Sequence, residues 1–324
     1  MNDSAKVVAK VLVLERDAEC FELIKAFCEA NKLMAQRVEV NNFVEALEVH
    51  VDLAGIFLPE RTGDDGCDGL TIGRLLRRSR PELPLFLRRE TTSSLEDLTQ
   101  EAKQPFTQAY TIDNMAVLQQ AISESIFSTD YPSALVQGLT EIAKAALDSQ
   151  FIGMKAETDT PYVVLDKLIF GEIFTLIPIE TSWCRGYMML QVEEDALLAL
   201  VNTQHTYAKL EHSHDFRNLN GILNEVTNMI WGAFKNKYMG AAMTDRALSQ
   251  VPMVINPGHQ HISFGSDNPQ LCLKHTLKTR DGVGSESIDV YQKFVFNMNW
   301  NPEDFKENEA VAEDLVDSGE LEMF

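Results

Sequence analysis

The sequence predicts a doubly wound α/β unit in residues 1–128, an α+β unit in residues 132–300 and an acidic tail in residues 301–324. In the first unit, short apolar runs alternate five times with amphipathic stretches of helical period. In the second unit, helical patterns are mixed with apolar segments joined by turns. The tail holds one basic and nine acidic residues, so its net charge is 1 − 9 = −8. Two domains followed by a solvated tail are therefore expected.

The apolar runs of the first unit are short and rich in Val, Leu and Ile, as buried strands are. The runs cover 10–14, 36–40, 53–59, 83–87 and 109–112, and the helical patterns cover 17–32, 43–49, 70–78, 94–103 and 115–127. Strands of this kind, separated by helices, indicate a parallel sheet that is covered on both faces. The pattern predicts a flavodoxin-like fold, in which sites lie at the carboxyl ends of the strands.

The charge balance limits the kinds of partner. With 28 basic and 49 acidic residues, the formal net charge is −21. This excess argues against binding to nucleic acid or to an anionic membrane, because phosphate groups need clustered Lys and Arg. No apolar run approaches the roughly 20 residues of a membrane helix. The five cysteines show no paired spacing, as expected for free thiols in a reducing compartment. We therefore expect a cytoplasmic protein.

Four segments of the first unit carry a resemblance to a known family. KVLVLERD, DLAGIFLP, the pair Asp68–Gly69 and PELPLFL together resemble a response-regulator receiver domain. The resemblance implies an acidic pair after the first strand and a phosphorylated Asp after the third. It also implies a Ser or Thr after the fourth strand and a Lys after the fifth. An unrelated flavodoxin-like domain is the alternative.

The residues at these places depart from the receiver pattern. Glu15 keeps one acid of the pair, Arg16 stands in the place of the other, and alignment puts Gly55 in the acceptor place. Arg88 or Arg89 replaces the hydroxyl residue, and no lysine follows the fifth run. Phosphoryl transfer to Asp needs the nucleophile, a Mg²⁺ held by carboxylates and a cation on the phosphate. The first unit is therefore predicted to be a degenerate receiver that does not take phosphate.

The second unit combines helices with hairpin-connected strands. Helices are predicted at 134–147, 193–204 and 216–237, and strands in YVVLDKLIF, GEIFTLIPIE, CRGYMMLQV, HQHISFG, QLCLKHTLKT and VYQKFVFNMNW. In helix 216–237, apolar residues recur with a period near 3.6. Glu225 and Asn228 are three residues apart, so they lie on neighbouring directions of one helix face, roughly 5–6 Å apart at Cβ. A carboxylate and a carboxamide are thus presented together, away from much of the apolar stripe.

This helix carries a second resemblance. Glu-x-x-Asn-Met-Ile-x-Gly, placed after a strand–helix unit and before a segment with Pro and Gly, resembles the CheC/CheX family of chemotaxis phosphatases. The resemblance covers about residues 132–298 and is closer to CheX, since only one such helix is evident. It implies that Glu225 engages a lysine of a phosphorylated CheY-type receiver and that Asn228 positions the attacking water. That receiver would supply its own phospho-Asp and Mg²⁺, so no cofactor of this chain is expected.

Two functions stay open at this point. The first is an enzyme that hydrolyses the aspartyl phosphate of a partner receiver, with Glu225 and Asn228 as its catalytic residues. The second is a non-catalytic receiver-binding or scaffold module in a chemotaxis or flagellar complex, suggested by the bulky Trp231 beside the pair. Two polar residues on an amphipathic helix are also compatible with simple solvation. CheX-like domains often pair through their sheets, so the resemblance also implies a homodimer.

Two histidine pairs are candidates for metal binding. His212 and His214, and likewise His259 and His261, each offer two imidazoles at alternating spacing. Zinc needs three or four ligands, and no acid or thiol joins either pair by its spacing. Surface or loop histidines are therefore favoured, and no metal site is expected.

Overall fold

The computed structural model describes residues 7–39, 46–47, 52–62, 68–169, 172–181, 183–202, 216–239, 251–258, 260, 262–280, 287–296, 305 and 307. The described strands are β1 Val8–Leu14, β2 Leu33–Val38, β3 Gly55–Pro59, β4 Leu85–Arg88, β5 Gln108–Tyr110, β6 Met154–Thr158, β7 Tyr162–Val164, β8 Leu168–Ile169, β9 Glu172–Glu180, β10 Arg185–Glu193, β11 Met253–Ile255, β12 Ile262–Ser263, β13 Gln270–Thr279 and β14 Ser287–Phe296. The described α-helices are α1 Ala18–Ala30, α2 Gly69–Ser79, α3 Gln100–Lys103, α4 Leu118–Ser125, α5 Ser133–Gln150, α6 Glu194–Asn202 and α7 Phe216–Tyr238.

Strands β1 to β5 form a parallel sheet in the order β2-β1-β3-β4-β5, as the apolar runs predict. The predicted helix 94–103 is wrong over most of its length, because only Gln100–Lys103 is helical. The guanidinium of Arg89 donates to the carbonyl of Ser94 at 2.7 Å and to the carboxylate of Asp97 at 2.9 Å. These bonds hold the preceding residues in an irregular turn instead of a helix.

The second unit is a mainly antiparallel sheet with helices, as the mixed pattern predicts. Its order is β11-β9-β10-β14-β13, and β6 and β7 both pair with β13. Strand β6 is absent from the sequence prediction because only two apolar residues, Met154 and Ala156, carry the alternation of buried and exposed positions in MKAET. The predicted strand YVVLDKLIF is broken into β7 and β8, because Asp166 lies between them with its side chain turned to Arg80.

Strand β7 joins the two units in one twelve-stranded sheet. On one side it pairs in parallel with β1, where Val8 faces Tyr162, and on the other it pairs antiparallel with β13, where Leu271 faces Val163. By sequence, β7 belongs to the predicted second unit, 132–300. The predicted boundaries of the two domains, 1–128 and 132–300, stay a prediction.

Buried charges lie where the two units meet. The Lys293 ammonium is 3.1 Å from the Asp52 carboxylate, to which the Tyr162 hydroxyl donates at 2.8 Å. Burial by itself would raise the pKa of Asp52, but the nearby lysines, Lys293 above all, hold it below its usual range. Arg80 forms a second buried pair with Asp166. Both pairs join a residue before 128 to one after 132.

The described residues include no helix that is long and apolar enough to cross a membrane. The cysteines of this part of the chain are Cys20, Cys28, Cys184 and Cys272, and all four are free thiols. Cys67 lies outside the described residues. The free thiols agree with the unpaired spacing in the sequence.

Candidate functional site

Helix α7 carries the predicted Glu-x-x-Asn motif and spans Phe216–Tyr238, one residue beyond the prediction. Its apolar stripe packs against α5, α6, β9 and β11. The residues of this stripe are at most 2% exposed: Leu219, Ile222, Leu223, Val226, Ile230 and Phe234. Lys235 and Lys237 lie in the last turn, where positive charge interacts favourably with the helix dipole. The helix is therefore held by one apolar face.

A buried pair of threonines fixes the rotation of α7 about its axis. The Thr227 hydroxyl donates to the carbonyl of Leu223 at 2.7 Å and lies 2.7 Å from the hydroxyl of Thr175 on β9. Both threonines are 0% exposed. Rotation of the helix would separate the two hydroxyls. Such a rotation is unfavourable, because buried hydroxyls need hydrogen-bond partners. The sequence signal, a threonine within each of two apolar segments, is too weak to predict it.

Glu225 and Asn228 are both exposed on α7. Each residue turns the helix by about 100° around its axis. Relative to the anchored Thr227, Glu225 is therefore rotated by roughly 200° in one direction and Asn228 by roughly 100° in the other, which brings both to the side away from Thr227. Neither side chain makes a hydrogen bond or an ion pair within the part of the chain that the structure describes. The carboxylate and the carboxamide are therefore side by side, and their polar atoms are open to an incoming group.

The helix surface on both sides of this pair is bare. Gly221 is one turn before Glu225, and Gly232 is one turn after Asn228, on the same side of α7. A Cβ atom built on either glycine would have nothing within 4 Å. A partner can therefore approach the backbone of α7 closely above and below the pair.

Trp231 does not narrow the approach to this surface. The bulk of Trp231 suggests an obstacle beside the pair, and this expectation is wrong because Trp231 is only 2% exposed. Its ring stacks on Phe234 with 5.6 Å between centroids, and the Lys235 ammonium is 5.7 Å from the centroid of the tryptophan ring. The tryptophan is part of the core on the inner side of α7.

The carboxyl edge of the parallel sheet holds ion pairs where the receiver resemblance implies an open acidic site. Arg88 at the end of β4 lies 2.7 Å from the Glu15 carboxylate, and the Glu15 side chain is only 4% exposed. Next to it, Arg89 pairs with Glu60 at 3.1 Å and with Asp97. The one acid that the first strand retains is therefore already bound to a guanidinium group.

The structure corrects the place of the missing phosphate acceptor. Gly55 is the first residue of β3, whereas Pro59 is its last. Pro59 is paired in register with Arg88, and Glu60 follows it. The alignment that gives Gly55 the acceptor place is thus wrong by the length of the strand. The chemical conclusion is unchanged, because Pro59 and Glu60 stand at the carboxyl end of β3 and no Asp lies there among the described residues.

The two histidine pairs cannot be placed in a site. His212, His214, His259 and His261 all lie outside the described residues. Within the ranges that the structure covers, no group of three or more His, Cys, Asp or Glu side chains is arranged to hold a metal ion.

Several solved structures are similar to parts of the chain. CheX from Vibrio vulnificus is 14% identical, with 50% of this chain and 98% of that chain covered and a TM-score of 0.33. A chemotactic CheC-like protein from Shewanella oneidensis MR-1 is 15% identical, with 50% and 94% covered and a TM-score of 0.33. A response regulator receiver domain protein from Clostridium thermocellum is 14% identical, with 37% and 96% covered and a TM-score of 0.33. No family model and no curated protein matches the chain.

Proposed function

We propose that this chain is a CheX-like phosphatase of two-component or chemotaxis signalling, which hydrolyses the aspartyl phosphate of a partner CheY-type receiver. The observation that carries the proposal is the outward-facing pair on α7, Glu225 and Asn228, both exposed and without a partner among the described residues. Thr227 between them is anchored to β9, so the pair is held on a fixed helix. Preorganised polar groups of this kind act best when they do not reorganise during reaction.

In this proposal the two side chains have different tasks. Glu225 accepts a hydrogen bond from the lysine of the partner's active site and so fixes the two proteins in register. The Asn228 amide holds a water molecule in line with the phosphorus atom of the partner's aspartyl phosphate. The water attacks the phosphorus and the aspartyl oxygen leaves, which releases inorganic phosphate. Catalysis is by positioning, and no phosphate is transferred to this chain.

The partner supplies the remaining chemistry. Its own carboxylates hold the Mg²⁺ that neutralises charge on the phosphoryl oxygens. The receiver-like unit of this chain does not accept a phosphoryl group in this proposal. Its remaining acid after the first strand, Glu15, is held in an ion pair with Arg88. In the proposal, the receiver-like unit supports the second unit through the sheet that the two units share. The homodimer implied by the resemblance stays a prediction, which light scattering of the purified protein would test.

The alternative function is a receiver-binding or scaffold module without catalysis. It is favoured by the closed ion pairs of Arg88 and Arg89, which suit a unit used for docking rather than for phosphotransfer. It is not favoured by Trp231, whose ring is buried. A binding module would associate with a phosphorylated receiver and leave the lifetime of its phosphate unchanged, whereas the enzyme would shorten it.

The test compares the lifetime of the phosphate on a purified CheY-type receiver with and without this protein. Glu225→Ala and Asn228→Ala are each expected to lower the rate of phosphate release by on the order of 10²–10³, with unfolding midpoints close to that of the wild type. Asn236→Ala, an exposed asparagine two turns beyond Asn228 on the same helix, is the matched control and should keep full activity. Equal turnover by all four proteins would exclude catalysis by this pair.

A further inference from the structure

A cleft of about 420 Å³ lies at the amino-terminal edge of the parallel sheet. Its wall is formed by the turn between α1 and β2, by α4 and by the segment that joins the two units. This volume is within the range of roughly 300–1,000 Å³ that small-molecule sites occupy, and such sites are common where two units meet. The cleft is at the opposite end of the parallel strands from the Arg88–Glu15 pair.

The floor of the cleft is apolar and buried. Val7, Ile122 and Val163 line it and are 6%, 3% and 1% exposed. Tyr131 also lines it, and its hydroxyl donates to the carbonyl of Pro269 at 2.7 Å. A ligand's apolar body would therefore meet side chains that are already packed and would lose little free energy in ordering them.

The rim of the cleft is polar. Lys32, Gln119, Ser123 and Thr129 lie there, and none of these side chains makes a hydrogen bond or an ion pair with another described residue. Lys32 is the one basic residue in the described lining. Asp130 also lines the cleft, so an anionic group would lie on the Lys32 side. The rim thus offers one positive charge together with hydroxyl and amide groups.

Lys32 has a backbone conformation that a lysine rarely adopts. Its φ is +61°, and it follows Asn31, the residue that caps α1. Glycine is the usual residue at this position after a helix, because a side chain in the left-handed region costs about 1 kcal/mol. A lysine at this position therefore carries a local backbone strain that a glycine would avoid.

We infer that this cleft binds a small organic anion, with its carboxylate at Lys32 and its apolar part on Val7, Ile122 and Val163. The net charge of −21 repels anions from the molecule as a whole, so affinity at this place depends on the local lysine. The bound anion would contact both units and the segment between them. The inference does not depend on the proposed phosphatase function.

The probe is 1-naphthoate, titrated into the full chain by isothermal titration calorimetry. Lys32→Gly is expected to weaken binding about tenfold or more, since a charged hydrogen bond is lost, and at the same time to raise the melting temperature, since the strain is relieved. Lys32→Asn keeps a residue that tolerates this conformation and should also bind weakly. Lys25→Gln, on the neighbouring α1, removes the same charge outside the cleft and should bind as the wild type does.

Ser123→Trp places a large side chain in the cleft and should abolish binding without changing Lys32. Loss of binding in Lys32→Gly, Lys32→Asn and Ser123→Trp, with normal binding by Lys25→Gln, supports the site. Three outcomes overturn it: no binding of 1-naphthoate to the wild type, equal binding by wild type and Lys32→Gly, or binding that survives Ser123→Trp. Unchanged affinity of Lys32→Gly overturns the site even if the melting temperature of that variant rises.

Discussion

The buried ion pair between Lys293 and Asp52 gives a prediction at the scale of single residues. Lys293 is 2% exposed and Asp52 is 8% exposed, and they are 3.1 Å apart. Lys293→Met removes one charge and leaves the other buried, so the free energy of unfolding should fall by about 3–5 kcal/mol. Replacing both, as Asp52→Asn with Lys293→Met, should restore part of that loss. Urea unfolding at pH 7 measures each variant.

The same pair has a defined pH dependence. The pKa of Asp52 is raised by burial but lowered overall by its lysine partners, Lys293 first. A lowered pKa contributes stability above the ordinary aspartate value, near 4, and this contribution is lost as the pH falls through the folded-state pKa. The difference between wild type and Lys293→Met should therefore shrink in acid. A difference that is constant from pH 7 to pH 3 would contradict the ion pair.

Single residues also show what sequence can and cannot predict. Glu225 and Asn228 are predicted to share one exposed side of a helix because three residues span most of a turn, and the structure places them so. The contacts of Arg88 with Glu15 and of Lys293 with Asp52 join residues 73 and 241 positions apart (88 − 15 and 293 − 52). No local period contains that information, since it depends on which strands become neighbours.

At the scale of elements, replacing glycine by alanine should lower the stability of the protein in α5 and raise it in α7. A Cβ on Gly138 of α5 would lie 1.9 Å from the Tyr238 hydroxyl and 2.8 Å from the Lys237 ammonium, whereas a Cβ on Gly221 of α7 meets nothing within 4 Å. Gly138→Ala should therefore cost about 1–3 kcal/mol by overpacking. Gly221→Ala should gain about 0.5–1 kcal/mol, because alanine favours the helix. Denaturant unfolding of the two variants gives both signs, and a neutral Gly138→Ala would contradict the overpacking by showing that the ends of Tyr238 and Lys237 move aside.

Elements are predictable where their pattern is long and regular. The sequence predicts 216–237, and α7 spans Phe216–Tyr238, because its apolar stripe from Leu219 to Phe234 continues for about four turns. Short elements depend on single contacts instead. The predicted helix 94–103 is reduced to Gln100–Lys103, because Arg89 donates hydrogen bonds to Ser94 and Asp97 in that segment.

At the scale of the whole molecule, the shared sheet predicts cooperative unfolding. Strand β7 pairs with β1 and with β13, and the buried pairs Arg80–Asp166 and Asp52–Lys293 cross between the predicted units. All three tryptophans of the chain, at 183, 231 and 300, lie after residue 132. Tryptophan fluorescence therefore reports the second unit, whereas far-UV circular dichroism reports the whole chain. Because one sheet and two buried ion pairs join the units, fluorescence and circular dichroism should show one coincident unfolding transition.

The fragment 1–128 provides the complementary test of this prediction. Without the rest of the chain, Asp52 loses Lys293 and Arg80 loses Asp166, so two groups that are buried in the full chain lose their partners. The fragment also loses the pairing of β1 with β7, and these losses are large beside the roughly 5–15 kcal/mol that stabilises a domain. The fragment should therefore be largely unfolded at 25 °C by circular dichroism. A well-folded fragment, or a fluorescence transition displaced from the dichroism transition, would instead establish 1–128 and 132–300 as independent domains.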